Sequence, residues 1–216
     1  MTNHPLLSLH ETLLARYGEP HWWPAGTPYE VIVGAVLTQN TAWGNVEKAI
    51  ARFGGALSPE QVLRLELAEL SQIIRPAGFF NQKARYLQAV TEWFARYGFD
   101  VPTVRREPLE KLRAELMSVK GVGPETADSI LLYAFGHPTF VVDAYTMRLC
   151  FRYPIDAGAG YEAVKRYFEA GLPRSAPLYN SFHALIVVHA KAHCRKKPLC
   201  DGCPLGDTCE RHGADP

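Results

Sequence analysis

The chain has 216 residues, 47% of them hydrophobic and 21% charged, with a formal net charge of +1. That length fits one large domain or two small ones with a real core, and the near-neutral balance excludes bulk positive charge as a means of finding nucleic acid, so any basic face must be local. No run of about 18 apolar residues argues for a membrane span, and Met1 to His10 lacks the basic start and apolar stretch of a secretory signal. A monomeric cytoplasmic protein with no membrane partner is expected.

Helical periodicity dominates the chain. His21-Trp22-Trp23-Pro24 precedes a run from Tyr29 to Leu37 that is apolar almost throughout, which predicts a helix buried nearly all round. Gly34 and Ala35 in that run allow close backbone approach. Asn45 to Phe53 predicts a short amphipathic helix ended by Gly54-Gly55. Ser58-Pro59-Glu60 predicts another, with Ser58 as N-cap and Pro59 at the first helical position. Leu67 to Ile74 is next and stops before Pro76. Asn81 to Tyr97 is long, with Ala84, Leu87, Val90 and Phe94 at helical spacing and Lys83 and Arg85 near its start.

Pro108 to Val119 repeats the pattern, followed by Lys120-Gly121-Val122-Gly123-Pro124 and a helix through Ala127, Ile130, Leu131 and Ala134. The two glycines permit a sharp turn, Val122 can drop between the helices, and Pro124 suits a first helical turn. The free N–H groups at such a helix start attract an anion; a phosphate held there positions a nucleic acid without reading it, and Lys120 can add one contact. An ordinary interhelical loop accounts for the same pattern. Thr139 to Val142 is β-branched and aromatic but has no evident partner strand, so it is read as an extended entry to a helix starting near Asp143. Tyr161 to Phe168 and Tyr179 to Ala192 complete an all-helical chain with short connections.

Cys194, Cys200, Cys203 and Cys209 follow as C-x5-C-x2-C-x5-C. Four thiolates so close in sequence point to one shared metal centre, iron–sulfur or zinc. Arg195, Lys196 and Lys197 lie between the first two. Cys150 sits between Leu149 and Phe151 and reads as a small buried hydrophobe.

From Leu112 to Met147 the sequence resembles the helix-hairpin-helix DNA glycosylase superfamily, the relatives of endonuclease III. Val119 to Ala127 is similar to their hairpin and second helix, Val142-Asp143-Ala144-Tyr145 to the segment carrying their catalytic aspartate, and Leu37-Thr38-Gln39-Asn40-Thr41 to the segment whose glutamine enters the gap left by a flipped nucleotide. The resemblance extends from about His21 to Cys209. It implies two helical domains flanking a DNA-binding cleft, one spanning 22–132 with the hairpin, the other 1–21 plus 133–216 with a C-terminal cluster loop. The N-terminal helix of the second domain would lie near Pro5 to Tyr17. Duplex DNA containing a damaged base would be the partner, and a [4Fe–4S] cluster on the four cysteines the cofactor, holding the basic loop against phosphate.

The resemblance further implies that Asp143 stabilises positive charge at C1′ or orients water, although an aspartate there also suits a helix cap. Bifunctional members carry a lysine where this chain has Glu125, which cannot form an imine; a monofunctional glycosylase without efficient lyase activity is expected. Asp128 reads as solvated or as a local hydrogen-bond partner. Gln39, Phe79, Asn81, Lys120, Gly121, Val122 and Gly123 are the expected DNA contacts, with Phe79 as a wedge between bases. Gln39 and Asn81 are open to plain helix-capping roles. The pattern of Trp22, Trp23 and Trp43 resembles the 3-methyladenine DNA glycosylase III subfamily, with Trp23 and Trp43 stacking on an extruded base and Trp22 beside them; a barrel plug is the structural alternative. Lys191 is a candidate pocket lysine. Alkylated purines such as 3-methyladenine are thus the first expected substrates. Oxidised pyrimidines, uracil or mismatches are the alternative, as is a DNA-damage-binding protein without catalysis.

Overall fold

The computed structural model describes residues 4–20, 22–23, 25–55 and 57–210, and every regular element among them is helical. His21 and Pro24 of the tryptophan run lie outside the described residues. The chain divides into two compact units, Trp23–His137 and Met1–Trp22 with Pro138–Pro216.

Helix α1 (Pro5–Tyr17) belongs to the split unit and turns Leu6, Leu9 and Leu13 inward at helical spacing. The central unit is built on α2 (Pro28–Leu37), which Thr27 caps and Pro28 starts; all its residues from Val31 to Leu37 are buried. Gly34 leaves room for aromatic rings rather than for a neighbouring backbone, since a Cβ there would lie 3.2 Å from Trp23 Nε1 and 3.4 Å from Trp43 Cη2. Helices α3 (Trp43–Ala51), α4 (Pro59–Arg64), α5 (Leu67–Ile73), a 3-10 turn (Arg75–Ala77) and α6 (Phe80–Ala95) wrap around it. Ser58 caps α4 as expected, accepting from the Gln61 N–H.

No apolar stripe in the sequence marks α7 (Val101–Arg106), whose one buried residue is Val104, although Asp100 caps it by accepting from Thr103 N at 2.9 Å. α8 (Leu109–Ser118) and α9 (Pro124–Ser129) follow, and α9 runs on into a π-helical turn, Ile130–Ala134.

In the split unit, residues 139–142 are extended without forming a strand. They lead into α10 (Ala144–Arg152), α11 (Tyr161–Gly171) and α12 (Ala176–Ala192). Phe140 stacks on Phe168 at 4.3 Å and meets Tyr179 and Phe182 edge-on. Its backbone N–H donates to Glu169 Oε1 at 2.8 Å, and Lys165 Nζ holds the same oxygen. The segment before Asp143 is thereby fixed from both its side chains and its backbone. Among the described residues no helix is long and apolar enough to cross a membrane.

Candidate active site

The hairpin of the central unit joins α8 to α9. Val122 is buried between the two helices, while Lys120 and Gly123 are exposed. Gly121 has φ +87°, and a Cβ there would run into the Tyr86 ring, so only glycine fits. Glu125 lies exposed in the first turn of α9, where the helix dipole favours an acid. Asp128 is not solvated: it is fully buried and takes a two-pronged ion pair from Arg113 of α8, at 2.9 and 3.1 Å. This pair bolts the two hairpin helices together.

Gln39 is joined to the same turn. Its amide nitrogen donates to the Gly121 carbonyl at 2.9 Å and to Thr126 Oγ1 at 3.0 Å. Phe79 is 65% exposed and sits in the left-handed region at φ +46°, a conformation that costs an L-residue about 1–2 kcal/mol. Phe79 itself occupies the N-cap position of α6, so the exposed Asn81 lies inside the first turn and does not cap the helix. One residue whose role was not anticipated is Lys83. Its side chain is buried, and burial pushes its amine down to about 8. It donates to Leu37 O at 2.8 Å and to Ala77 O at 2.7 Å. The sequence signal was its spacing, since Lys83 falls on the stripe of Leu87, Val90 and Phe94.

The aromatic residues divide between the units. Trp23 meets Trp43 edge-on at 5.3 Å and Tyr133 at 5.1 Å, all in the central unit, and Trp43 Nε1 donates to Glu47 at 2.9 Å. Trp22 belongs to the split unit, where Lys191 Nζ stands 5.6 Å above its ring. Tyr133 was not anticipated. It sits on the π-helical turn, which re-aims side chains in a way that a regular helical period does not show.

Asp143 is the N-cap of α10. Its Oδ1 accepts from Tyr145 N at 2.9 Å, Thr146 N at 2.8 Å and Thr146 Oγ1 at 3.0 Å. That leaves Oδ2, which lies 3.5 Å from His183 Nε2 on α12. Burial alone would raise the carboxyl, but the nearby His183 and the hydrogen bonds from Thr146 outweigh it and hold Asp143 below the ordinary carboxylate range. Capping thus uses Oδ1 and leaves Oδ2 beside His183. His183 was visible in sequence only as a histidine inside an apolar helical run.

The expected [4Fe–4S] centre requires correction. Cys194, Cys200, Cys203 and Cys209 are free and line one cavity with His189 and Arg152. Among the described residues, however, no group of three or more histidine, cysteine, aspartate or glutamate side chains is arranged to hold a metal ion. Two of the four sulfurs meet Arg152 instead. Arg152 approaches Cys194 Sγ at 3.5 Å, and Cys209 Sγ donates to Arg152 O at 3.2 Å. Burial and the neighbouring thiols push Cys203 up. No cofactor is assigned. The basic loop is held by α10: Arg148 donates to Cys194 O at 2.7 Å, and Arg152 to Arg195 O at 2.6 Å and Lys196 O at 3.1 Å. Cys150 is half-buried, and burial pushes its thiol up to about 12.

Known proteins share both sequence and fold with this arrangement. A provisionally named DNA repair glycosylase of Methanocaldococcus jannaschii is 46% identical over 209 residues, covering 94% of this chain and 95% of that protein. Endonuclease III of Haemophilus influenzae is 30% identical over 187 residues, covering 85% of this chain and 84% of its own. A trapped endonuclease III–DNA covalent intermediate superposes with a TM-score of 0.82 at 24% identity, covering 98% of this chain and 97% of that one; it bears on the fold alone. The H. pylori 3-methyladenine DNA glycosylase bound to 1,N6-ethenoadenine gives a TM-score of 0.72 at 28% identity, covering 88% of this chain and 98% of that one. The family model described as HhH-GPD superfamily base excision DNA repair protein matches residues 33–174. The chain belongs to the HhH-GPD superfamily of base excision DNA repair proteins.

Proposed function

We propose that this protein is an endonuclease III-like DNA N-glycosylase that hydrolyses the bond between a damaged base and C1′ in duplex DNA. The observation that carries the reading is Asp143, whose carboxylate is held ionised with one oxygen anchored and the other beside His183. As the C1′–N bond breaks, its electron pair leaves with the base and positive charge builds on the sugar. A fixed carboxylate stabilises that charge. Water then forms the new C1′–O bond and its proton is released to the base or solvent. Turning the base out of the stack costs a few kcal/mol; Phe79 would wedge the duplex, and the hairpin with Lys120 would hold backbone phosphate.

Oxidised pyrimidines, uracil or mismatched bases are the favoured substrates, supported by the identity to endonuclease III over most of both chains. Glu125 stands where the resemblance places a catalytic lysine, which supports base release without efficient strand cleavage. A second reading, excision of alkylated purines, is favoured by the Trp23, Trp43 and Tyr133 group and by the likeness to the 3-methyladenine glycosylase.

The test is product analysis on duplexes carrying uracil, thymine glycol or a mismatch, beside methylated DNA, read before and after alkali. Free pyrimidine with strand breaks appearing only after alkali is the expected result. Release of 3-methyladenine alone would move the assignment to the second reading, and binding without release from any duplex would sink the catalytic one.

A further inference from the structure

We propose that Lys83 is a positioning residue for base extrusion, tying the segment that carries Gln39 to the loop that presents Phe79. This rests on the glycosylase reading and deepens it.

Lys83 sits in the second turn of α6 with its side chain buried. Its amine donates to the last carbonyl of α2, Leu37 O, at 2.8 Å and to the last carbonyl of the 3-10 turn, Ala77 O, at 2.7 Å. Carbonyls at helix ends lack a partner within their own helix, and a cation is well suited to them. One amine therefore closes two helix ends at once. Immediately after each held carbonyl the backbone becomes irregular. Thr38, Gln39 and the left-handed Asn40, φ +53°, follow Leu37; Gly78, φ +66°, and the left-handed Phe79 follow Ala77.

Phe79 has no side-chain cap to fix it, and its carbonyl accepts from Gln82 N at 3.0 Å and from the Lys83 backbone N–H at 2.9 Å. Lys83 thus brackets Phe79, with its backbone on one side and its side chain on the other. A strained residue persists only when its surroundings over-determine it. From Leu37 the linkage continues through Gln39 to the hairpin, by way of Gly121 O and Thr126 Oγ1. Wedge loop, gap segment and hairpin are one hydrogen-bonded assembly, and Lys83 is the joint between the first two. A wedge on a loose loop pushes without effect, because the force that unstacks a base must be borne by the loop's support.

The test compares the parent with Lys83→Met and with Lys83→Gln, which keeps one donor should the methionine variant fail to fold. Two readouts are taken on duplexes with 2-aminopurine beside a uracil: fluorescence on binding, which reports unstacking without requiring chemistry, and single-turnover release of uracil. Release is measured both from a paired site and from a single strand, where no extrusion is needed. The expected result is at least a tenfold loss of release from the paired site, little loss on the single strand, and a reduced fluorescence rise. Adding Phe79→Ala should cost the Lys83 variant no more, because both act in one step. Equal losses on paired and single-stranded substrate, or a fluorescence rise like the parent's, would overturn the inference. A parent that raises fluorescence but releases no uracil would count against the uracil reading and leave this one standing. A parent that raises no fluorescence would overturn this inference, while release of uracil would still decide the catalytic reading.

Discussion

Asp143 caps α10 with one oxygen, and the catalytic role proposed for the other can be tested. Replacement by asparagine keeps the side chain's shape and much of the cap but removes the charge. Release of base should fall by about a hundredfold to ten-thousandfold, the range typical of a positioned acid–base group, with the folded state retained by circular dichroism. The acid limb of stability follows from the sign of the shift. The folded carboxyl titrates below its ordinary value of 3.8, so its stabilisation is complete above that pH and is lost as pH falls through the lower folded value. The asparagine variant should therefore melt with a shallower dependence on pH below about 4, and equal slopes would show that Asp143 gains nothing from its folded surroundings. Asp143 was legible in the sequence because a motif surrounds it. His183 and Lys83 were not, because a polar residue inside an apolar stripe reads as a break in the pattern until the carbonyl or carboxylate beside it is in view.

Among the elements, the hairpin shows which signals a local pattern carries. Gly121, Val122 and Gly123 declared a tight turn, and the turn is there. What fastens it is the Arg113–Asp128 pair, which joins residues fifteen apart in sequence and so has no local signature. Asp128 is fully buried, so removing its charge takes the carboxylate partner from Arg113, whose side chain is only 21% exposed. Breaking a buried pair from one side costs about 3–5 kcal/mol. Asp128→Asn should lower the urea midpoint accordingly, with base release reduced through loss of DNA affinity rather than of the chemical step. Unchanged stability would mean that Arg113 finds water instead. The π-helical turn hides its consequence in the same way: the apolar period through Ala127, Ile130, Leu131 and Ala134 forecast the helix, while the added residue per turn that places Tyr133 beside Trp23 follows from packing. The cysteines mark the opposite failure. Their spacing advertised a metal centre, but two of the sulfurs meet Arg152 of α10, a contact that spacing cannot reveal.

At the scale of the whole molecule, charge is nearly balanced, with 23 lysines and arginines against 22 acids. A protein so close to neutral has little long-range attraction for a duplex, and its affinity must come from a few local cations that displace counterions on contact. Arg195, Lys196 and Lys197 are all exposed, and the loop's backbone is held by Arg148 and Arg152 of the helix that Asp143 caps. On the proposed reading, a basic loop tied to the helix that Asp143 caps would couple phosphate binding to placement of the charge at C1′. Replacing the three with alanine should reduce the slope of log affinity against log salt by about 0.9 for each phosphate that is no longer neutralised, measured on undamaged duplex. Because the loop is anchored chiefly through its carbonyls, and the one side-chain bond lost, Arg195 Nε to Lys191 O, is solvent-exposed, the variant should keep its melting temperature and its single-turnover rate at saturating protein. A slope equal to the parent's would place the phosphate-binding cations elsewhere, with Lys120 and the hairpin as the next to remove.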